Sequence, residues 1–345
     1  MLWPNRELRG HGRVIIIVAP TVTDPARFTR LLTTTFLLGV LTGAAYPVCA
    51  QQNSTIIDVG GSRLHVVIEN SKFRLPQRDI VNWIRRSADI VVNYYARFPT
   101  KQAYIGVRAA AGAGVKHGRA LRHGPTVNIT MGVESTANDL EVDWILIHEL
   151  IHLAFPRVPD RHHWIEEGLA VYVESIARAN AGTLTPEQVW RGFERGMPHG
   201  LPRAGDRGLD FTPTWGRTYW GGALFCLLAD IDIRKASGGK MSLRDALRGI
   251  VSAGFNMTDQ VDSLSTVLKI ADAATGTLAL TVLYDRMKDS PEAIDLSSLW
   301  HQLGIDTQHQ EIQFNERAPL AALRAAITAG DHTRAAERHY KDFTY

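Results

Sequence analysis

The apolar positions of this chain change their pattern near its middle. Between Thr55 and Met131 they form short runs bounded by Gly, Pro and polar clusters, the signature of strands. Thr55–Val59 and Leu64–Glu69 read as two strands, with Gly60, Gly61 and Ser62 as the turn between them. A long helix is predicted over Gln77–Arg97, entered after Pro76 and ended near Phe98 and Pro99. Ala103–Arg108 and Thr126–Met131 read as further strands. The Gly/Ala-rich stretch Ala109–Gly118 between them reads as a mobile loop without a phosphate-binding pattern. From Asn138 onward the pattern is helical, starting with the apolar run Trp144–Phe155, for which Thr136 or Asn138 is the expected cap. A second helix is expected over Trp164–Glu174, and others over 219–236, 241–250, 258–270 and 278–288. Gly- and Pro-rich loops fill Gly196–Pro213. Pro291–Leu303 reads as a short helical segment, Glu311–Phe314 as a short last strand, Leu320–Ala329 as a helix or turn, and Gly330–Tyr345 as a loosely held charged tail. The pattern predicts an α+β fold: a small sheet-and-helix lobe over 51–135, a mostly helical lobe over 136–310 and an extension over 311–345.

The apolar helix carries His148-Glu149-Leu150-Ile151-His152. Residues four apart share one helical face, so His148 and His152 can grip one metal ion, for which zinc is the usual choice. Glu149, beside the first histidine, is then placed to act on water as a general base. The bland alternative is a buried helix whose histidines satisfy local hydrogen bonds. Two His and a Glu on an otherwise apolar helix are costly to bury without partners, which favours the metal. Pro156, Pro159 and Asp160 break the first helix and leave enough chain for the second to fold back. A carboxylate from it would complete a two-His, one-carboxylate zinc site with one position open. Glu166 and Glu167 both qualify, and one step on a helix turns them about 100° apart. Glu174 shares the face of Glu167, either holding a ligand His in orientation or standing solvated. His162 and His163 read as loop surface.

Trp164-Ile165-Glu166-Glu167-Gly168-Leu169-Ala170 resembles the W-x-N-E-G-x-A segment of the gluzincin zinc metallopeptidases, with Glu166 departing from the usual Asn. Tyr219-Trp220-Gly221-Gly222-Ala223-Leu224 resembles the Y-x-x-G-A block of the same clan. Leu227–Arg234 and Gly238–Asp245 are similar to the glycyl aminopeptidase family. The resemblance covers roughly residues 125 to 305. It implies Glu167 as third zinc ligand, Tyr219 as a hydroxyl donor to the tetrahedral intermediate, and an aminopeptidase acting on peptides or small proteins. It also implies an edge strand beside the metal-binding helix that takes extended peptide by strand addition; Thr126–Met131 is the expected one. An aminopeptidase needs a carboxylate for the free amine, and Glu166 and Glu134 are the candidates. Zinc endopeptidase, non-peptide amidase and non-catalytic binding module are the alternative readings. Tyr219, within an aromatic patch from Trp215 to Trp220, has core packing as its bland alternative.

Composition narrows the destination. The 345 residues are 45% apolar and 21% charged, ordinary for a globular protein. A net charge of +3, without a Lys/Arg stripe interleaved with aromatics, gives no nucleic-acid surface. Residues 1–50 resemble an export signal. Arg27 and Arg30 precede the apolar run Leu31–Leu41, and Val48-Cys49-Ala50 reads as a cleavage site, with true initiation near Val22 an option. The run is short for a membrane span, so a periplasmic or secreted chain without stable membrane insertion is expected. Cleavage after Ala50 would leave Cys226 as the one remaining cysteine, in an apolar helical run and expected to be buried and inert.

Overall fold

In the computed structural model, which describes residues 53–69, 73–306 and 312–330, the short apolar runs pair into one five-stranded sheet. Strands β1 (Asn53–Val59) and β2 (Ser62–Ile68) form an antiparallel hairpin through Gly60 and Gly61, both at positive φ. Helix α1 (Gln77–Tyr95) follows Pro76 and crosses to β3 (Gln102–Ala110), which lies parallel to β2. Next comes β4 (Val115–Leu121) and then β5 (Thr126–Gly132), which inserts parallel beside β3 and carries β4 antiparallel on its outer side. The spatial order is β1-β2-β3-β5-β4. Alternate residues such as Leu64, Val66, Ile105, Val107, Val127 and Ile129 are buried on one face, together with Ile80, Ile84 and Val91 of α1. The opposite face leaves Ile56 and Tyr104 exposed.

Two expectations need correcting here. Ala109–Gly118 is not a mobile loop. β3 runs on to Ala110, a tight turn places Gly112 and Gly114 at positive φ, and β4 has begun by Val115. Thr126–Met131 is accordingly an interior strand, and β4 is the edge. The strand lacks an apolar pattern because its positions facing the helices are Gly118 and Ala120. A Cβ on Gly118 would lie 2.6 Å from Glu149 Cγ and 2.6 Å from Ile145 Cγ2. This glycine serves close approach, not loop flexibility.

Beyond the sheet the chain is helical: α2 (Ala137–Glu141), α3 (Ile145–His152), α4 (His163–Asn180), α5 (Pro186–Gly196), α6 (Gly222–Ala236), α7 (Leu243–Ser252), α8 (Leu264–Thr275), α9 (Ala279–Met287) and α10 (Leu296–Leu303). A two-residue hairpin of β6 (Ile305–Asp306) and β7 (Gln313–Phe314) leads to α11 (Ala321–Thr328), which packs on α4, α5 and α6. The α+β expectation stands, with a sheet lobe followed by helices. Among the described residues no helix is long and apolar enough to cross a membrane. The export-signal expectation for 1–50 and the tail beyond Gly330 lie outside the described residues.

α4 is the central helix. It packs against α1, α3 and α6, and buries Leu169, Ala170, Tyr172 and Val173. Its approach to α6 is backbone on backbone. A Cβ on Gly168 would fall 2.3 Å from the Gly222 carbonyl carbon, and one on Gly222 would fall 2.2 Å from Trp164 O. At an ordinary helical position Gly→Ala stabilises by about 1 kcal/mol. Here overpacking reverses the sign, and Gly168→Ala is expected to lower stability by about 1–3 kcal/mol. A urea melt reads this as a lower midpoint; a raised midpoint would mean that the two helices stand apart. Farther along, Tyr172 of α4 donates to Asp230 of α6 at 3.0 Å, and Arg234 holds the other carboxylate oxygen at 2.8 Å.

Candidate metal centre

The fold brings α3 and α4 together at their functional ends. α3 is entered at Asp143, whose carboxylate accepts from Ile145 N at 3.0 Å and Leu146 N at 3.2 Å. Burial pushes this carboxyl up to about 6, against the pull of the two N–H groups. Thr136, one of the two expected caps, instead caps the separate short helix α2 through a capping box with Asp139. Asn138 lies within α2 and caps neither helix.

One turn apart on α3, the His148 and His152 rings stand edge to face with centroids 4.9 Å apart. Glu167 of α4 faces both: its Oε2 is 3.3 Å from His148 Nε2 and 3.6 Å from His152 Nε2. One ligand atom from each of the three lies within 4.8 Å of the others. His148 and Glu167 are buried and His152 is half-buried. Burial alone would raise the Glu167 pKa. His152, His148 and His163 reverse that and hold the carboxyl well below its usual range. Two imidazole nitrogens and one carboxylate oxygen converging on a buried point are the donor set of a catalytic zinc, with a fourth position open. The residues fit that ion.

Glu166 does not turn toward the histidines of α3. Its Oε2 accepts from Arg122 Nη2 at 3.3 Å and lies 2.9 Å from His163 Nδ1. His163 Nε2 in turn lies 3.3 Å from Glu167 Oε1, the oxygen directed away from His148 and His152. Bonds to both glutamates push the His163 imidazole up to about 9. A cationic His163 therefore fixes the rotation of the Glu167 carboxylate.

The loop-surface expectation is corrected for both His162 and His163: His163 opens α4, half-buried and bonded to Glu166 and Glu167. His162 is buried, with Nδ1 2.9 Å from Asp210 Oδ1. Asp210 also accepts from Trp164 Nε1 at 2.8 Å and from Tyr284 OH at 2.8 Å. This cluster anchors the start of α4 immediately before Glu166 and Glu167. Glu174 is buried rather than solvated. Its oxygens bond Arg178 at 2.8 Å and Ser175 at 3.0 Å, and not the two histidines of α3.

Glu149 leaves α3 on the side of β4, where its Oε2 accepts from Ala120 N at 2.6 Å. Tyr219 also reaches Glu167. It sits in a π-helical turn, Arg217–Gly221, that leads into α6; such turns recur at functional sites. The turn is pinned by Arg217, which pairs with Asp206 at 2.8 Å and donates to Gly200 O at 2.6 Å. Tyr219 hydrogen-bonds Glu167. Burial, then the charges of Glu167 and Glu149, push its hydroxyl well above the usual range, so it keeps its proton at neutral pH. Cys226 is buried, with its thiol pushed up by burial and by Asp230.

Asp210 and Arg122 escaped the sequence reading, and His163 was read as loop surface. For His163 a signal was present: it precedes Glu167 by one helical turn, the spacing of a side-chain pair. Asp210 and Arg122 come from a loop and a strand end, and nothing in the sequence ties them to α4.

No protein-family model matches this sequence, and no curated protein does. Solved structures do. An aminopeptidase N family protein from Idiomarina loihiensis aligns over 78% of this chain and 53% of its own, at 14% identity and a TM-score of 0.55. An M1 zinc metallopeptidase from Deinococcus radiodurans aligns over 71% of this chain and 54% of its own, at 16% identity and a TM-score of 0.44. The chain thus spans about half the length of these proteins. Over the aligned region, it shares the fold of the Idiomarina loihiensis protein.

Proposed function

We propose that this chain is a zinc-dependent peptidase, with zinc held by His148, His152 and Glu167. The observation that carries the reading is the convergence of those three donors, with Glu149 next to His148 on α3 and a protonated Tyr219 bonded to Glu167. Zinc supplies Lewis acidity toward water and a carbonyl oxygen at neutral pH. Glu149, held in place by the Ala120 N–H, takes a proton from the attacking water and delivers it to the leaving amine. Tyr219 donates its proton in a hydrogen bond to the oxygen on which charge develops. His163 keeps the Glu167 carboxylate turned toward α3.

Removal of an N-terminal residue is the mode implied by the resemblance, and the Idiomarina loihiensis structure bears an aminopeptidase name. That mode needs a carboxylate for the substrate ammonium. Glu166 is already bonded to Arg122 and His163, and Glu134 follows an interior strand. Both observations favour cleavage within an extended peptide as the second reading. Peptides with free and acetylated N-termini separate the two: equal kcat/KM for the pair supports the second.

The function itself is tested by peptide hydrolysis that a chelator abolishes and zinc restores. In the same assay Tyr219→Phe is expected to lose about 10²–10³-fold in kcat, the cost of a single oxyanion donor. Its zinc content should not change. An unchanged kcat would return Tyr219 to packing, and a fully zinc-loaded chain that cleaves nothing would favour the binding-module alternative.

A further inference from the structure

The outer edge of β4 runs past the proposed metal centre, and one of its outward groups, Ala120 N–H, is bonded to Glu149. Among the described residues no strand pairs with β4 on the side away from β5. In an antiparallel ladder, alternate residues turn their N–H and C=O groups to the same side. Ala120 directs its N–H away from β5, because it donates to Glu149, and Gly118 shares its parity. The outward backbone groups of Gly118 and Ala120 therefore line the approach to Glu149. An extended peptide backbone is the ligand that completes such an edge.

The side chains of β4 say which peptide. A Cβ on Gly118 would point at Glu149 and Ile145, so Gly118 and Ala120 face the helices. His117 and Arg119 then stand on the opposite face of the sheet. Both are exposed, and among the described residues neither side chain has a hydrogen bond or ion pair. Lys116, at the register shift before His117, is exposed as well. The sequence contains no acidic residue between Asp89 and Glu134. Of the acids near the strand, Glu149 is bonded to Ala120 N, Glu166 and Asp160 to Arg122 at its end, and Asp139 acts on Lys116. On the exposed face of this edge Arg119, with His117 beside it, therefore has no paired acid among the described residues. A second copy of the chain paired through β4 would set like charges opposite one another, which disfavours that occupant.

Strand addition at the edge beside the metal-binding helix is what the resemblance implies, and that edge is β4; we propose that among extended peptides the chain selects those carrying acidic side chains at alternate positions, facing His117 and Arg119. Alternation matters because only every second residue of the added strand stands on that face. The inference rests on the peptidase reading for the bond that is cut. The docking preference rests on β4 alone.

The test reads binding without hydrolysis. The full chain carrying Glu149→Gln is titrated against fluorescent peptides, acetylated and amidated at their ends and equal in length. One has Glu at alternate positions, one has the same Glu residues adjacent, and one has Lys at the alternate positions. Cross-strand charge pairs predict that alternating Glu binds about three- to tenfold tighter than adjacent Glu, and that alternating Lys binds weakest. Raising the salt concentration should shrink the advantage. Arg119→Glu, and independently His117→Glu, should remove it. Equal affinity for the three peptides, no binding of any of them, or a preference that survives both substitutions would overturn the proposal. A chain that shows the preference but whose wild type cleaves no peptide would defeat the peptidase reading alone.

Discussion

Glu149→Gln is expected to keep its zinc and lose about 10²–10⁴-fold in kcat, the usual contribution of a positioned general acid–base group. The substitution preserves shape, and the amide oxygen can still accept from Ala120 N, the bond that holds Glu149 at 2.6 Å. α3 and β4 should therefore stay in register, leaving His148 and His152 undisturbed. The loss is then one of proton transfer. Measuring kcat and zinc content on the same sample distinguishes this outcome from a collapsed site. A variant within a few-fold of wild type would remove Glu149 from the chemistry.

His148→Ala and His152→Ala are expected to abolish tight zinc binding and with it nearly all turnover. Each removes one of three converging donors, and the remaining His and Glu167 cannot close a tetrahedral site. A bound ion also stabilises the fold: at about 1,000 times its Kd it contributes about 4 kcal/mol. The wild-type Tm should therefore climb with free zinc, whereas that of either variant should stay flat. Between the neighbouring glutamates the order is fixed by their partners. Glu167→Gln should weaken zinc far more than Glu166→Gln, because Glu166 is committed to Arg122 and His163. The opposite order would reassign the third ligand.

Much of this centre was legible because helical spacing is local. His148 and His152 share a face by their separation alone, and the breakers between Phe155 and Asp160 announce the return of α4. The third ligand was less legible. Spacing left Glu166 and Glu167 as equals, and only the folded partners separate them, Arg122 and His163 for Glu166 and His148 and His152 for Glu167. β4 was misread for a related reason. Its helix-facing positions are Gly118 and Ala120 and its outward ones are His117 and Arg119, so the strand offers no apolar alternation. Close backbone approach then looks like a flexible loop. Helix α5 was passed over although Thr185 and Gln188 form a capping box ahead of Val189, Trp190 and Phe193, a signal that was there to be read. The Asp210 cluster had no such signal, since Asp210 and Tyr284 lie far along the chain from His162 and Trp164 and meet them only through folding.

The central claim is that one zinc ion sits among His148, His152 and Glu167. Anomalous X-ray scattering at the zinc edge, from crystals of the chain purified with zinc, tests it most directly. The account predicts one strong peak per chain, about 2.0–2.2 Å from His148 Nε2, His152 Nε2 and a Glu167 oxygen. No peak at that point, or a peak held by other residues while these three keep their present contacts, would contradict it.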